Sequence, residues 1–239
     1  MKILIAVPAY NEESILAENV KKIYDFLKNN IAEEWQVIIA DNNSGDRTSE
    51  VGKNLEKNLE KIKYLNIPKK GKGRAIRAAW ETNDADVYIF MDADLATNLS
   101  SLPALIAAIG QENFDLAAGA RFHKNSRVNR SLLRKFISRV YRLALHFALG
   151  LKIKDAPCGF KAVNRRVVQS ILPQIKNNEW FFDTEMVVLA EKNNYRIKEV
   201  PVVWTEHKKI GRKSRVSFIK VSLGYLKEIW RLKKTHARN

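Results

Sequence analysis

One cysteine, Cys158, occurs among the 239 residues, so no intrachain disulfide framework is available. No stretch approaches the ~20 uninterrupted apolar residues that cross a bilayer. The opening residues, MKILIAVPAYNEE, pass from a short apolar run straight into proline and two glutamates. They show no small-residue cleavage pattern, which predicts a strand and not a signal peptide. Internal repeats and low-complexity linkers are absent. Acidic residues are missing where they would be most expected. Residues 121–154 hold ten Lys/Arg and no Asp/Glu, and residues 207–239 hold eleven Lys/Arg against Glu228 alone. Each segment carries +10, so the rest of the +16 chain carries −4. A mildly acidic body with two basic segments suits nucleic acid, anionic lipid headgroups or a polyanionic substrate. The expectation at this point is a cytoplasmic protein without a membrane span.

What is present is strongly patterned. With 46% hydrophobic residues, the length suits one large domain. Apolar runs at residues 2–7, 35–40, 62–67, 86–91 and 114–118 alternate with helical spacing at 11–30, 46–59, 73–82 and 101–109. This predicts an α/β fold: a mostly parallel sheet with helices on both faces. Beyond residue 120 the pattern changes. Residues 130–149 read as a long helix with apolar Leu133, Phe136, Ile137, Val140, Ala144 and Phe147. The spacing further predicts a helix over 182–192 and a strand over 195–204. Residues 217–234 read as a basic amphipathic helix with a stripe of Ile219, Leu223, Leu226 and Trp230.

Polar clusters fall at the predicted strand ends: residues 10–12, 41–46 and 92–94. Ligands of open α/β sheets bind beyond the carboxyl ends of the strands. In FMDADLAT, a buried run ends on Asp92 and Asp94. Two carboxylates there can converge on a hard cation such as Mg²⁺ that also holds substrate phosphates. Solvated turn aspartates or a helix cap are the bland alternative. Asp41 fits a base contact or an Asx turn in DNNSGD. The glycines and cations of PKKGKGRA suit a phosphate at a helix start.

VPAYNEE, ADNNSGDRT, GKGRA, MDADL, GAR and DAPCGFKAVNRRV resemble the ordered motifs of family-2 glycosyltransferases of GT-A fold, nearest the polyprenyl-phosphate (dolichyl-phosphate) glucosyl- and mannosyltransferases. The resemblance runs from residue 5 to about 216. It implies a GT-A domain over 1–216, with a nucleotide-sugar half at 1–120 and an acceptor half at 121–216, followed by the basic helix of 217–239. It implies that Pro8, Tyr10, Glu12 and Asp41 contact the nucleotide. Asp92, Ala93 and Asp94 form the diphosphate and metal motif, with Asp92 and Asp94 as ligands of Mg²⁺ or Mn²⁺. Arg121, Arg134 and Ser138 meet an acceptor phosphate on a polyprenyl lipid. Arg215 closes over the diphosphate, and Asp94, Arg121 and Asp183 carry the catalytic roles, with Glu185 beside Asp183 as a second acid. A phosphate acceptor is largely dianionic at neutral pH and needs little help from a base. It can attack the anomeric carbon directly and invert its configuration, in keeping with four histidines that fall in no motif. The motifs CGFK, WFFDTE and VVWTE tilt the donor towards UDP-glucose, with GDP-mannose as the other choice. The basic helices suit peripheral contact with the cytoplasmic face of an anionic membrane.

Two positions depart from the pattern. Asn42 stands where the family has a second acid, and the Gly-x-Ser-Lys close is stretched to GRKSRV, which puts Ser214 and Arg215 in the places of Ser-Lys. Without a C-terminal transmembrane pair, a glycan or protein acceptor is the competing reading. A nucleic-acid binder would need no carboxylate cluster and shows no recognised motif, so no nucleic-acid partner is expected. A nucleotidyltransferase would usually need an N-terminal glycine-rich phosphate loop, and AVPAYNEES is not one.

Overall fold

The computed structural model describes residues 1–206 and 218–236. The side chains of residues 132–134, 218–223, 226, 235 and 236 lie outside that description. Ser214 and Arg215, with the expected diphosphate closure, fall outside it, as do the side chains of Leu133, Arg134, Ile219, Leu223 and Leu226.

The first half alternates strand and helix: β1 (Lys2–Ala9), α1 (Leu16–Asn30), β2 (Glu34–Asp41), α2 (Thr48–Asn58), β3 (Ile62–Asn66), α3 (Lys72–Glu81), β4 (Val87–Met91), α4 (Leu102–Gly110) and β5 (Leu116–Ala120). The second half adds β6 (Arg127–Asn129), α5 (Leu132–Leu149), β7 (Phe160–Asn164), α6 (Arg165–Ser170), α7 (Phe182–Lys192), β8 (Ile197–Pro201), β9 (Val203–Thr205) and α8 (Phe218–His236). Seven strands form one sheet in the order β3-β2-β1-β4-β7-β5-β8, and β6 pairs with β9 in a separate ribbon. Strands β4 and β5 are buried along their whole length, as a sheet covered on both faces requires. One core lies on each face, one around Trp80, Phe90 and Phe182, the other around Ile5, Trp35 and Phe160.

Three sequence expectations need correction. The fifth strand is not 114–118 but Leu116–Ala120. Asn113 takes a positive φ of 57° and the Asp115 carboxylate is spent on Arg196 N and Asn164 Nδ2, so the chain is still turning there. The strand expected over 195–204 is two strands, because β8 pairs with β5 whereas β9 pairs with β6. Strand β7 was not expected. It runs antiparallel between β4 and β5, and its fully buried Lys161 disguises a core strand as a polar turn.

Strand order reverses beside β1, which has β2 on one side and β4 on the other, and this is the position where α/β sheets bind ligands. Because β7 is antiparallel, it starts where β4 ends: Phe160 pairs with Met91. The loops after β1, β2, β4 and β5, the loop before β7, and the first turns of α3 and α7 therefore share one edge.

Candidate active site

The loops after β1 and β2 are joined by their own polar groups. Asn11 N donates to Ser44 Oγ (2.8 Å), Gly45 N to Asn11 Oδ1 (2.6 Å), and Glu12 N to Thr48 Oγ1 (2.7 Å). Asp41, 1% exposed, accepts from the Tyr64 hydroxyl (2.8 Å) and from Ser44 N (3.0 Å), the latter closing an Asx-type turn. Asn42 has a clear reason to be an amide. Its Oδ1 accepts from Gly71 N (2.7 Å) while its Nδ2 donates to Ala9 O (3.3 Å). An ionised aspartate cannot make the second bond. Gly71 has φ 142°, which favours glycine, and it starts α3. Pro8 and Tyr10 follow along β1 and its loop, and the Tyr10 ring has Lys70 Nζ 4.7 Å from its centroid.

Asp92, Ala93 and Asp94 lie directly beyond β4. Ala93 O accepts from Asn19 Nδ2 (2.8 Å), and Asp94 Oδ1 accepts from Ala96 N (3.1 Å). Leu95 sits at φ 50°, a left-handed conformation that costs a non-glycine residue energy, and its N donates to Asp92 O (3.1 Å). Gly159 lets β7 approach Asp92: a Cβ there would stand 2.0 Å from Asp92 Oδ2. The two carboxylates offer hard oxygen donors, which fit Mg²⁺ or Mn²⁺. Among the described residues no group of three His, Cys, Asp or Glu can hold a metal on its own. This donor set suits an ion shared with a diphosphate.

Behind the aspartates is a buried ionic network that sequence reasoning missed. Lys72, in the first turn of α3, places Nζ 2.7 Å from Asp92 Oδ1 and 2.9 Å from Asp183 Oδ2. Burial works to lower its pKa, but the two carboxylates outweigh this and hold it above the ordinary lysine range. Lys161 Nζ donates to Cys158 O. Burial pulls its pKa below the ordinary range, with Asp183 offsetting part of the effect. Burial also raises the Cys158 thiol to about 11, so it is protonated and inert at neutral pH. Lys72 had one faint signal, its place in GKGRA. Its 111-residue separation from Asp183 has none.

Asp183 and Glu185 open α7 and behave differently. Glu185, 1% exposed, accepts from Lys176 N (3.2 Å) and Asn177 N (2.9 Å) and pairs with Arg231 of α8 at 2.8 Å. It is a structural pin between the 176–177 loop and α8. Asp183 faces Lys72 and the strand-end aspartates.

On the acceptor side, Arg121 follows β5 and is clamped by buried Asp155. Nε donates to Oδ2 (2.8 Å), Nη2 to Oδ1 (2.7 Å), and the backbone N to Oδ2 (2.7 Å). Burial opposes the charge, but Asp155 overrides it and keeps the guanidinium firmly protonated. Among the described residues two of its five N–H groups are engaged in hydrogen bonds. Ser138 on α5 accepts from Arg130 Nη1 (2.7 Å). Arg121 and Arg130 both lie against the Trp204 ring, 5.8 and 5.2 Å from its centroid, so Trp204 gathers this side of the site. Asp155, Arg130 and Trp204 lie beside the expected residues and were not among them.

The apolar positions of α5 are divided between a packed face and an exposed one. Leu145 and Leu149 are buried, but Phe136 (65%), Val140 (49%), Leu143 (44%) and Phe147 (79%) are exposed, with Lys135 and Arg139 exposed beside them. In α8, Ile229 and Leu232 are buried whereas Trp230 is 58% exposed, so Trp230 is not on the packed face. Tyr225 of α8 packs on Tyr141 of α5, with ring centroids 5.2 Å apart. Among the described residues, no helix is long and apolar enough to cross a membrane.

Comparison with known proteins agrees with this geometry. Residues 4–172 match the family Glycosyl transferase family 2. Glycosyltransferase AglD of Haloferax volcanii is 30% identical over 206 residues, covering 85% of this chain and 33% of that protein. A dolichyl-phosphate beta-glucosyltransferase of Trichomonas vaginalis is 31% identical over 237 residues, covering 93% and 71%. The dolichyl-phosphate beta-glucosyltransferase of Saccharomyces cerevisiae is 29% identical over 222 residues, covering 84% and 66%. The chain thus spans from a third to about 70% of the length of these relatives. Among solved structures, glucosyl-3-phosphoglycerate synthase from Mycobacterium tuberculosis, in complex with Mn²⁺ and UDP-glucose, superposes with a TM-score of 0.62 at 18% identity, covering 92% of this chain and 74% of that one. That likeness establishes a shared fold. With the family match covering most of the sequence and the strand-end aspartates where such a site needs them, the chain belongs to glycosyl transferase family 2.

Proposed function

We propose that the chain transfers glucose from UDP-glucose to the phosphate of a polyprenyl lipid, with a divalent cation and inversion at the anomeric carbon. The observation that carries this reading is the meeting, at one sheet edge, of Asp92 and Asp94 with the clamped Arg121. Relatives named dolichyl-phosphate beta-glucosyltransferase support the donor sugar and acceptor, and the solved relative bound to Mn²⁺ and UDP-glucose supports the donor and metal. GDP-mannose is the donor that this reading sets against UDP-glucose.

In this account Tyr10, Glu12 and Asp41 receive the nucleoside beside Pro8. Asp92 and Asp94, on either side of Ala93, would hold the cation together with the diphosphate. When bound, that cation stabilises the departing nucleoside diphosphate. Arg121, backed by Asp155, orients the acceptor phosphate together with Ser138. A dianionic phosphate is its own nucleophile, so the chain need only bring it in line.

The exposed stripe Phe136, Val140, Leu143 and Phe147 supports docking on an anionic bilayer. Its helix carries no acidic residue. An interfacial helix pairs such a stripe with flanking cations, which Lys135 and Arg139 supply here.

A second reading has a specific support. The same solved relative also occurs in complex with phosphoglyceric acid, so a soluble phosphate ester is the alternative acceptor. Incubating the chain with UDP-glucose or GDP-mannose, Mg²⁺ or Mn²⁺ and a polyprenyl phosphate, with product read by mass spectrometry, tests the proposal. The expected product is a hexosyl-phosphoprenol from UDP-glucose, reduced at least ~10³-fold in Asp94→Ala. An equally active Asp94→Ala would overturn the metal-motif assignment.

A further inference from the structure

Asp183 has one oxygen too many for its structural role. It is 2% exposed, and Oδ2 receives the Lys72 ammonium at 2.9 Å. Oδ1 is buried and has no hydrogen-bond partner among the described residues. Buried polar atoms are nearly always bonded, and an unpaired one carries a desolvation cost. An orphan carboxylate oxygen at the strand-end edge therefore marks a place for a donor that arrives with a ligand.

Lys72 fixes where that place is. The same ammonium touches Asp92 Oδ1 at 2.7 Å, so the metal-motif carboxylate and the Asp183 carboxylate sit on either side of one nitrogen. A sugar linked to a diphosphate at Asp92 would place its ring hydroxyls within a few ångströms of Asp183. Trp180 adds an apolar wall. Its half-exposed ring has its centroid 5.6 Å from Lys72 Nζ, and its carbonyl is tied to the Tyr225 hydroxyl (3.3 Å). An aromatic face of this kind matches the C–H face of a pyranose, and a lone charged acceptor matches one hydroxyl.

We propose that Asp183 is a specificity-determining residue: its free Oδ1 accepts a hydrogen bond from one ring hydroxyl of the transferred hexose, Lys72 holds the carboxylate at a fixed distance from Asp92, and Trp180 covers the sugar. The inference rests on the proposed donor reading. It assigns Asp183 to sugar recognition and not to removal of a proton.

The test uses UDP-glucose and its four monodeoxy analogues at positions 2, 3, 4 and 6. Binding is measured by calorimetry with Mn²⁺, and transfer as kcat/KM, for wild type, Asp183→Ala and Lys72→Met. UDP alone serves as the control for an intact nucleotide site. Wild type should penalise loss of one hydroxyl by about 10- to 100-fold. Asp183→Ala should shrink that penalty to less than about 3-fold at the same position only, with UDP affinity unchanged. Lys72→Met should shrink it partly, because the carboxylate loses its anchor. A wild type indifferent to every deoxy analogue, or a penalty that persists unchanged in the variants, overturns the inference. If Asp183→Ala fails to bind UDP, the wild-type panel and Lys72→Met decide. If UDP-glucose binds with a hydroxyl penalty but nothing is transferred to a lipid, the acceptor reading fails while this one stands. If UDP-glucose binds no better than UDP and is never used, both fail.

Discussion

On the proposed donor side, the loops after β1 and β2 hold each other: Asn11 with Ser44 and Gly45, Glu12 with Thr48, and Asn42 with both Gly71 and Ala9. On the proposed acceptor side, α5 turns Phe136, Val140, Leu143 and Phe147 to solvent, and nothing in the described chain covers them. The donor side is organised by internal hydrogen bonds before any ligand arrives. The acceptor side has rigid points, such as Arg121 on Asp155, beside an apolar face whose burial is left to something else. The contrast fits a small polar first substrate and a second substrate that comes embedded in a surface.

The largest expected effect is on the organised side. Gly159→Ala would place a methyl 2.0 Å from Asp92 Oδ2, and the aspartate must move. A displacement of about 1 Å at a reacting centre costs ~10²-fold, so kcat/KM should fall by at least that much while the melting temperature changes little. Unchanged kcat/KM would show that the fit of Gly159 against Asp92 does not matter. On the open side, Phe136→Ser with Phe147→Ser should reduce sedimentation with anionic vesicles by about 10-fold or more, since each buried phenylalanine contributes about 1.5–3 kcal/mol. UDP-glucose affinity should not change. Equal vesicle binding would remove the stripe from the account.

The smallest effect concerns Lys161, whose pKa burial holds below its unfolded value of 10.5. Between the folded pKa and that value, the unfolded chain binds more protons at this site than the folded one, so stability rises with pH there. The gain is lost as pH falls through the folded pKa. Lys161→Met should abolish that slope, and the wild-type-minus-variant difference in urea unfolding should move in favour of wild type as pH rises towards 10.5. Parallel slopes would show that Lys161 titrates as an ordinary lysine.

The strand ends at Tyr10, Asp41 and Asp92 were legible because apolar runs stop there in favour of polar residues that have no local reason to follow them. The helix of α7 was legible to the residue, from its spacing. Strand β7 was not, since Lys161 breaks its apolar pattern. Nor were the pairs Lys72–Asp183 and Arg121–Asp155, which depend on strand order and not on neighbouring sequence. Periodicity marked α5 as amphipathic, yet it says nothing about which face another element will cover. Asn42 looked like a lapse from a pattern. The structure shows it as the only side chain of that shape able to accept from Gly71 and donate to Ala9 together.

In the proposed function the hexose ends on a lipid phosphate. The direct measurement is a competition: UDP-glucose and Mn²⁺ with the chain, anionic vesicles carrying a polyprenyl phosphate, and an equal concentration of a soluble phosphate ester such as phosphoglyceric acid. Product masses report where the sugar went. The account predicts hexosyl-phosphoprenol as the dominant product, and its loss when Phe136 and Phe147 are both replaced by serine. Glucose found on the soluble phosphate ester, with the lipid unmodified, would contradict it.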